Sequence, residues 1–375
     1  MGKMKTEKYA RGMCAMACGL AFGAAFAADV RPPSNAAIVQ DERGYNAWPM
    51  IQAMGTNLVC VYSRDCAFPK DGHSIWPGTR DSYAKVSHDG GLTWSAETVV
   101  AGDAQAGEVN EGIGLDSQGA LLVWVRCWGE KSRRRHELYR SVDGRSFSKI
   151  ATLRPDPMPM QILDPVFVPE LGLVSPWFAG RYDVDGGHAW GIFVSMDDGR
   201  NWQMHTIERD LRLREWMTES SLVSLGGGRI LMIGRCERGL GPQFQATSAD
   251  GGKTWTKRRT NIADVAESTP SLVYDARTGL VANYYYERGG RKLKRRIARA
   301  DYVFAHPDAW PDPETLAEGF EPRAWDAGNV NATRLQGTLD CCAWYTGTPS
   351  NAMVVVTRVP APRALQAAGA GCPEQ

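Results

Sequence analysis

Three acidic residues, Glu111, Asp164 and Glu219, recur at intervals of 53 and 55 residues. Four arginines, Arg126, Arg181, Arg235 and Arg288, recur at intervals of 55, 54 and 53, and Arg64 stands ahead of them in the same series. Arginine offers a planar fork of N–H donors that matches a carboxylate, sulfate or phosphate. A carboxyl group beside it either balances that charge or carries protons in general acid–base chemistry. A rim of guanidinium groups interleaved with carboxylates is the arrangement expected of a site for an acidic ligand. The competing explanation is that each arginine pairs with the acid of its own repeat and only holds the fold together.

The elements that must position these residues follow from a second repeat. Ser87-His-Asp-Gly-Gly-Leu-Thr-Trp94 and Ser248-Ala-Asp-Gly-Gly-Lys-Thr-Trp255 share the pattern S-x-D-x-G-x-T-W. Ser195-Met-Asp-Asp-Gly-Arg-Asn-Trp202 fits with Asn for Thr, and Ser141-Val-Asp-Gly-Arg-Ser-Phe147 is one residue shorter. The Asp accepts backbone N–H bonds across a hairpin turn, Gly supplies positive φ, and the Trp covers the turn. The motif, an Asp box, is therefore a structural lock. Its period of about 54 residues matches one four-stranded blade, and the chain accommodates six. The fold expected is an all-β, six-bladed β-propeller over 28–360. The first two strands of the blades are expected at 48–64, 110–126, 164–181, 219–235, 269–288 and 329–345. Residues 28–45 are expected to pair with the last blade and close the ring. The Pro-rich segment 307–322 reads as a surface insertion, and 361–375 as a disordered tail. In such a blade the start of the first strand and the end of the second meet at one edge, which puts the acids and arginines on the funnel.

Residues 1–27 read as a secretory signal peptide, with Lys3, Lys5, Lys8 and Arg11 ahead of an apolar stretch and Ala25-Phe26-Ala27 as cleavage site. The protein is accordingly expected to be secreted or periplasmic. A formal net charge of +1 gives no general attraction to nucleic acid. Seven cysteines follow the signal, an odd number without zinc spacing, read chiefly as small buried hydrophobes with Cys60–Cys66 as a possible bridge. The sequence carries no cofactor or metal motif. Two basic runs, 131–136 and 291–296, suit either an extended polyanion or solvated hairpins, and Trp128, Trp177, Trp190 and Trp216 suit either sugar stacking or packing.

The Asp boxes, the blade count and the export signal together resemble the sialidase superfamily, with endosialidases the nearer branch. The resemblance implies a glycoside hydrolase that cleaves sialic acid or a related acidic sugar from a glycan or polysaccharide. It implies that Glu219 acts as base and that Arg235 and Arg288 clamp the substrate carboxylate; the repeat register adds Arg64, Arg126 and Arg181 as further substrate-binding candidates. Asp71, in the loop Phe68-Pro-Lys-Asp-Gly-His73, takes the place of the acid, with Asp65 as its rival. The chain departs from the family pattern at two points. Ala47-Trp48-Pro49 stands where the family has Arg-Ile-Pro, and Asn329-Val-Asn331 stands where a nucleophilic tyrosine opens the sixth blade. A non-catalytic carbohydrate-binding propeller, a protein-binding propeller and a polysaccharide lyase remain as alternatives, since fold alone does not select among them.

Overall fold

The computed structural model describes residues 35–42, 44–65, 80–130, 134–169, 171–265, 267–319, 327–348 and 351–363. Among them the chain is nearly all β, and its one α-helix, α1 (Ala300–Ala305), is a single short turn. A first strand, β1 (Ala36–Gln40), is followed by the meander β2 (Tyr45–Met54), β3 (Asn57–Asp65), β4 (Arg80–Ser87) and β5 (Thr98–Ala101). The second meander is β6 (Gly107–Leu115), β7 (Leu121–Trp128), β8 (Arg135–Ser141) and β9 (Ser148–Leu153). The third opens on two short strands, β10 (Gln161–Ile162) and β11 (Val166–Val168). It continues through β12 (Gly172–Ala179), β13 (His188–Ser195) and β14 (Gln203–Leu211). The fourth is β15 (Met217–Gly226), β16 (Arg229–Cys236), β17 (Phe244–Ser248) and β18 (Thr256–Arg259). The fifth is β19 (Ser271–Asp275), β20 (Leu280–Glu287), β21 (Lys292–Arg299) and β22 (Glu314–Glu318). The sixth is β23 (Gly328–Leu335), β24 (Leu339–Thr348) and β25 (Asn351–Pro360), and β1 completes it by pairing antiparallel with β25. One parallel pairing, Tyr45 with Ala352, joins the sixth meander to the first.

The apolar pattern explains how the meanders associate. In β7, Leu-Leu-Val-Trp-Val is apolar throughout because both faces of the strand are covered. Leu121, Val123, Val125 and Cys127 pack into a cluster shared with the first meander, whereas Leu122 and Trp124 point the other way into one shared with the third. Such clusters also fill the gaps between the third and fourth meanders, the fourth and fifth, and the fifth and sixth. A last one, holding Tyr45, Cys60, Tyr345 and Val354, lies between the sixth and the first. Side chains on the first strands lace neighbours together as well. Ser221 accepts the N–H of Leu272, Ser271 that of Ala332, and Asn331 that of Ile51.

Each Asp box follows the third strand of its meander. In the fourth, the Ser248 hydroxyl accepts the N–H of Gly252 and donates to Asp250, whose carboxylate takes the Lys253 and Thr254 N–H groups. The hydroxyl and N–H of Thr254 hold the Asp250 pKa down to about 2. Trp94, Phe147, Trp202 and Trp255 pack onto the clusters facing the preceding meander. In the fifth meander α1 occupies the box position, and Asp301 there pairs with Arg229 at 2.6 Å. Residues 307–319 are not the surface insertion that the prolines of 307–322 suggest. They supply β22, the fourth strand, and Trp310, which is buried with its indole N–H on Gln245. Among the described residues Cys60, Cys127, Cys236, Cys341 and Cys342 are buried free thiols, and Cys66 lies outside them.

Candidate active site

The first strands of the meanders turn one end towards a common cleft with room for about 240 Å³. Its wall is drawn from all six: Trp48, Glu111, Asp164, Glu219, Thr269 and Asn329 to Asn331 lie on it in chain order. Four of these sit at breaks in strand register, between Ala47 and Met50, Asn110 and Gly112, Thr218 and Ser221, and Gly328 and Asn331. A bulge bends its strand and re-aims a side chain. At three of the breaks the residue adopts positive φ, 51° for Trp48, 38° for Glu219 and 37° for Asn329. For a residue with a Cβ this conformation costs on the order of 1–3 kcal/mol, and such strain clusters at functional sites.

Glu219 and Arg235 face each other across β15 and β16. Arg235 donates from one terminal nitrogen to Glu219 at 2.5 Å and from the other to Glu237 at 3.0 Å. Burial opposes the Arg235 charge, but Glu219 and then Glu237 outweigh it and hold its pKa above the usual value. Burial pushes the Glu237 carboxyl up against the pull of Arg235, with Glu219 adding to the rise. Thr218 donates its hydroxyl to Glu237. Tyr182 lines the same cleft, its phenol pushed well up by burial and then by Glu219.

The opposite wall carries Asp164, Glu111 and Arg126. Asp164 accepts the Ile113 N–H at 2.8 Å and the Asn331 side-chain amide at 2.9 Å, the latter reaching from the sixth meander to the third. Burial raises the Asp164 pKa from 3.8 to about 6 against the pull of both donors. Asp164 and Asn331 also line a second cavity, of about 460 Å³, formed by the far ends of the same strands. Glu111 contacts His136 at 2.5 Å and accepts the Ile162 N–H. Arg126 donates to the carbonyl of Met160 at 2.6 Å, and its Nε is buried without a partner, as is that of Arg235.

The structure thus brings Glu219, Arg235 and Arg126 to one cleft and leaves the other predicted arginines off its wall. Arg64 is tied to Glu97 and Glu42 at 2.6 and 2.5 Å, and Arg181 pairs with Asp183 on the surface. Arg288 lies behind the wall, donating to Asn329 at 3.1 Å and to the Ala327 carbonyl. Asp65 pairs with Arg80, both completely buried, and Asp71 lies outside the described residues. Two residues of the site, Tyr182 on the wall and Glu237 behind Arg235, have no equivalent in the sequence argument. Glu237 follows Arg235 by two positions, directly after β16, and binds its guanidinium; the spacing is present in Arg-Cys-Glu. Tyr182 stands in the loop after β12, where the repeat register gives no guidance. Among the described residues no group of three or more His, Cys, Asp or Glu side chains is placed to hold a metal ion.

A six-meander β fold with a strained glutamate and two arginines at one cleft defines a class, and the comparisons give it a family. Residues 79–321 match the family described as BNR repeat-like domain, and the chain belongs to that family. Comparison with curated proteins finds no match. Among solved structures, a protein of unknown function from Dyadobacter fermentans superposes with a TM-score of 0.70 at 16% identity, covering 88% of this chain and 98% of that one. The Hadza microbial sialidase Hz136 gives 0.64 at 17%, covering 84% of this chain and 65% of its own. The Trypanosoma rangeli sialidase bound to sialic acid gives 0.62 at 11%, covering 87% and 57%. The α-L-arabinanase of Penicillium chrysogenum gives 0.54 at 14%, covering 86% and 98%. This chain spans less than two thirds of either sialidase, and likeness at these identities is a likeness of fold.

Proposed function

We propose that the six meanders are the blades of a six-bladed β-propeller and that the cleft hydrolyses glycosides of an acidic sugar, in a protein exported under its first 27 residues. The propeller reading is supported by the apolar clusters, which run between successive meanders and again between the last and the first. The observation that carries the activity is Glu219, held at φ 38° on the cleft wall with the Arg235 guanidinium 2.5 Å away. Arg126 and Arg235 bind the sugar carboxylate. Water then attacks the anomeric carbon as the glycosidic C–O bond breaks; Glu219 accepts the proton of the water, and a protonated carboxyl gives its proton to the leaving oxygen. Two carboxyls compete for that acid role. Asp164 is on the wall with a pKa of about 6, and Asp71 is the loop candidate named by the family resemblance.

A receptor that binds acidic sugars without cleaving them is the second reading. It is favoured by Asn329 and Ala47 at the places where the sialidase pattern has tyrosine and arginine. Sugar release from a panel of sialosides and uronides, followed by mass spectrometry, separates the two. The hydrolase reading expects release by the parent protein and a loss of at least about 10²-fold in Glu219→Gln with an unchanged melting temperature. Full turnover in Glu219→Gln removes the proposed role of that residue. Binding of an acidic sugar without release by the parent makes the protein a receptor.

A further inference from the structure

The arginines at the second-strand ends and the third-strand starts of the meanders differ in what balances their charge. Arg235 is held by Glu219 and Glu237, Arg64 by Glu97 and Glu42, and Arg135 by Glu137 and Asp103. Arg126 and Arg134 have no carboxylate within ion-pair distance among the described residues. Arg126 donates to the Met160 carbonyl and Arg134 to that of Gly129. Both stack on one indole, the guanidinium carbon of Arg126 5.2 Å and that of Arg134 4.2 Å from the ring of Trp128. The strand explains the arrangement. Arg126 and Trp128 are two apart on β7 and share a face, while Arg134 enters β8 beside them. Arg126 lines the cleft, and Trp128 and Arg134 continue away from it.

We infer that Trp128 and Arg134, next to Arg126, form a second subsite, which binds the acidic group of a neighbouring sugar unit, so that the substrate is an oligosaccharide carrying carboxylates on successive residues. The inference rests on the reading of the cleft as an acidic-sugar site and names the class of glycan. A guanidinium lying against an aromatic ring has part of its hydration removed and its N–H fork held in one plane, which favours a planar anion at its edge. Arg134 uses its Nε on Gly129 and keeps its two terminal nitrogens for such a partner. The shared indole holds the two cations within one disaccharide length of each other. Two like charges placed together without counter-carboxylates raise the local potential, and a ligand with one acidic group does not neutralise both.

Calorimetric titration of the full chain carrying Glu219→Gln, which leaves the probes uncut, tests this. The probes are N-acetylneuraminic acid with its α2,8-linked dimer, and galacturonic acid with its α1,4-linked dimer. The expected result is that one of these dimers binds about tenfold or more tighter than its monomer, with the gain shrinking as salt is raised. Which pair shows it identifies the sugar. Arg134→Ala is expected to bring the dimer to the affinity of the monomer, leaving monomer affinity and melting temperature unchanged, and Arg134→Lys to restore part of the gain. Equal affinity for monomer and dimer, or a dimer preference that survives Arg134→Ala, overturns the second subsite and leaves the cleft reading standing. Failure of every probe to bind the folded protein overturns both.

Discussion

At the scale of single residues, chemistry here depends on which charges the fold leaves uncompensated. The repeat equates Arg64, Arg126, Arg181 and Arg235, but carboxylates hold Arg64, Arg181 and Arg235, whereas Arg126 donates to a backbone carbonyl. Asp164 shows the same dependence on surroundings. Burial raises its pKa from 3.8 to about 6, so the folded state holds the proton more tightly than the unfolded chain. The stabilisation from that proton is complete below about pH 4 and is lost as pH rises through 6. In melts of the parent and Asp164→Asn between pH 4 and 7, the difference in melting temperature should move in favour of the variant as pH rises. A difference that stays constant would mean that Asp164 titrates in the ordinary carboxylate range.

At the scale of elements, the cleft depends on first strands that approach one another more closely than side chains allow. A Cβ on Gly114 would lie 1.9 Å from the carbonyl oxygen of Pro165, and one on Gly112 2.6 Å from the carbonyl carbon of Leu163. Both obstacles are backbone, and moving them would shift Asp164 between them. Gly114→Ala is expected to cost about 3 kcal/mol or to prevent folding. Gly289→Ala, which meets nothing within 4 Å, is expected to change stability by less than about 0.5 kcal/mol in urea unfolding. The Asp boxes sit at the opposite hairpins and hold the outer strands, and their aromatic residues seal the gap to the preceding meander. Their order explains why the repeat was legible. A turn that needs Ser, Asp, Gly and Trp at fixed offsets leaves its pattern in the chain, whereas α1 does the same job in the fifth meander with no such pattern.

At the scale of the whole molecule, the first and last described strands meet. β1 pairs with β25 along Ala36 to Gln40, and Glu42 just beyond it holds Arg64 in the first meander. The sixth meander therefore takes its fourth strand from the N-terminal side, and the last apolar cluster draws its residues from β1, the first meander and the sixth. A chain beginning at Asp41 is expected to melt about 5 °C or more below one beginning at Pro32, as followed by circular dichroism. Equal melting temperatures would show that β1 contributes nothing to closure.

The sequence by itself determined the all-β class, the repeat period, the structural role of the Asp boxes, the pairing of β1 with the last meander, and Glu219 and Arg235 as neighbours. Each of these rests on local chemistry or on alternation along a strand, which a chain displays before it folds. Only the tertiary structure decided which arginines face the cleft, that Tyr182 and Glu237 join Glu219, and that Asn331 reaches Asp164 from three meanders away. It also placed the strand Glu314–Glu318 and a buried Trp310 within the Pro-rich segment. The reason is that charge pairing and burial depend on atoms distant in sequence. Equal positions in a repeat become unequal once each meander has different neighbours.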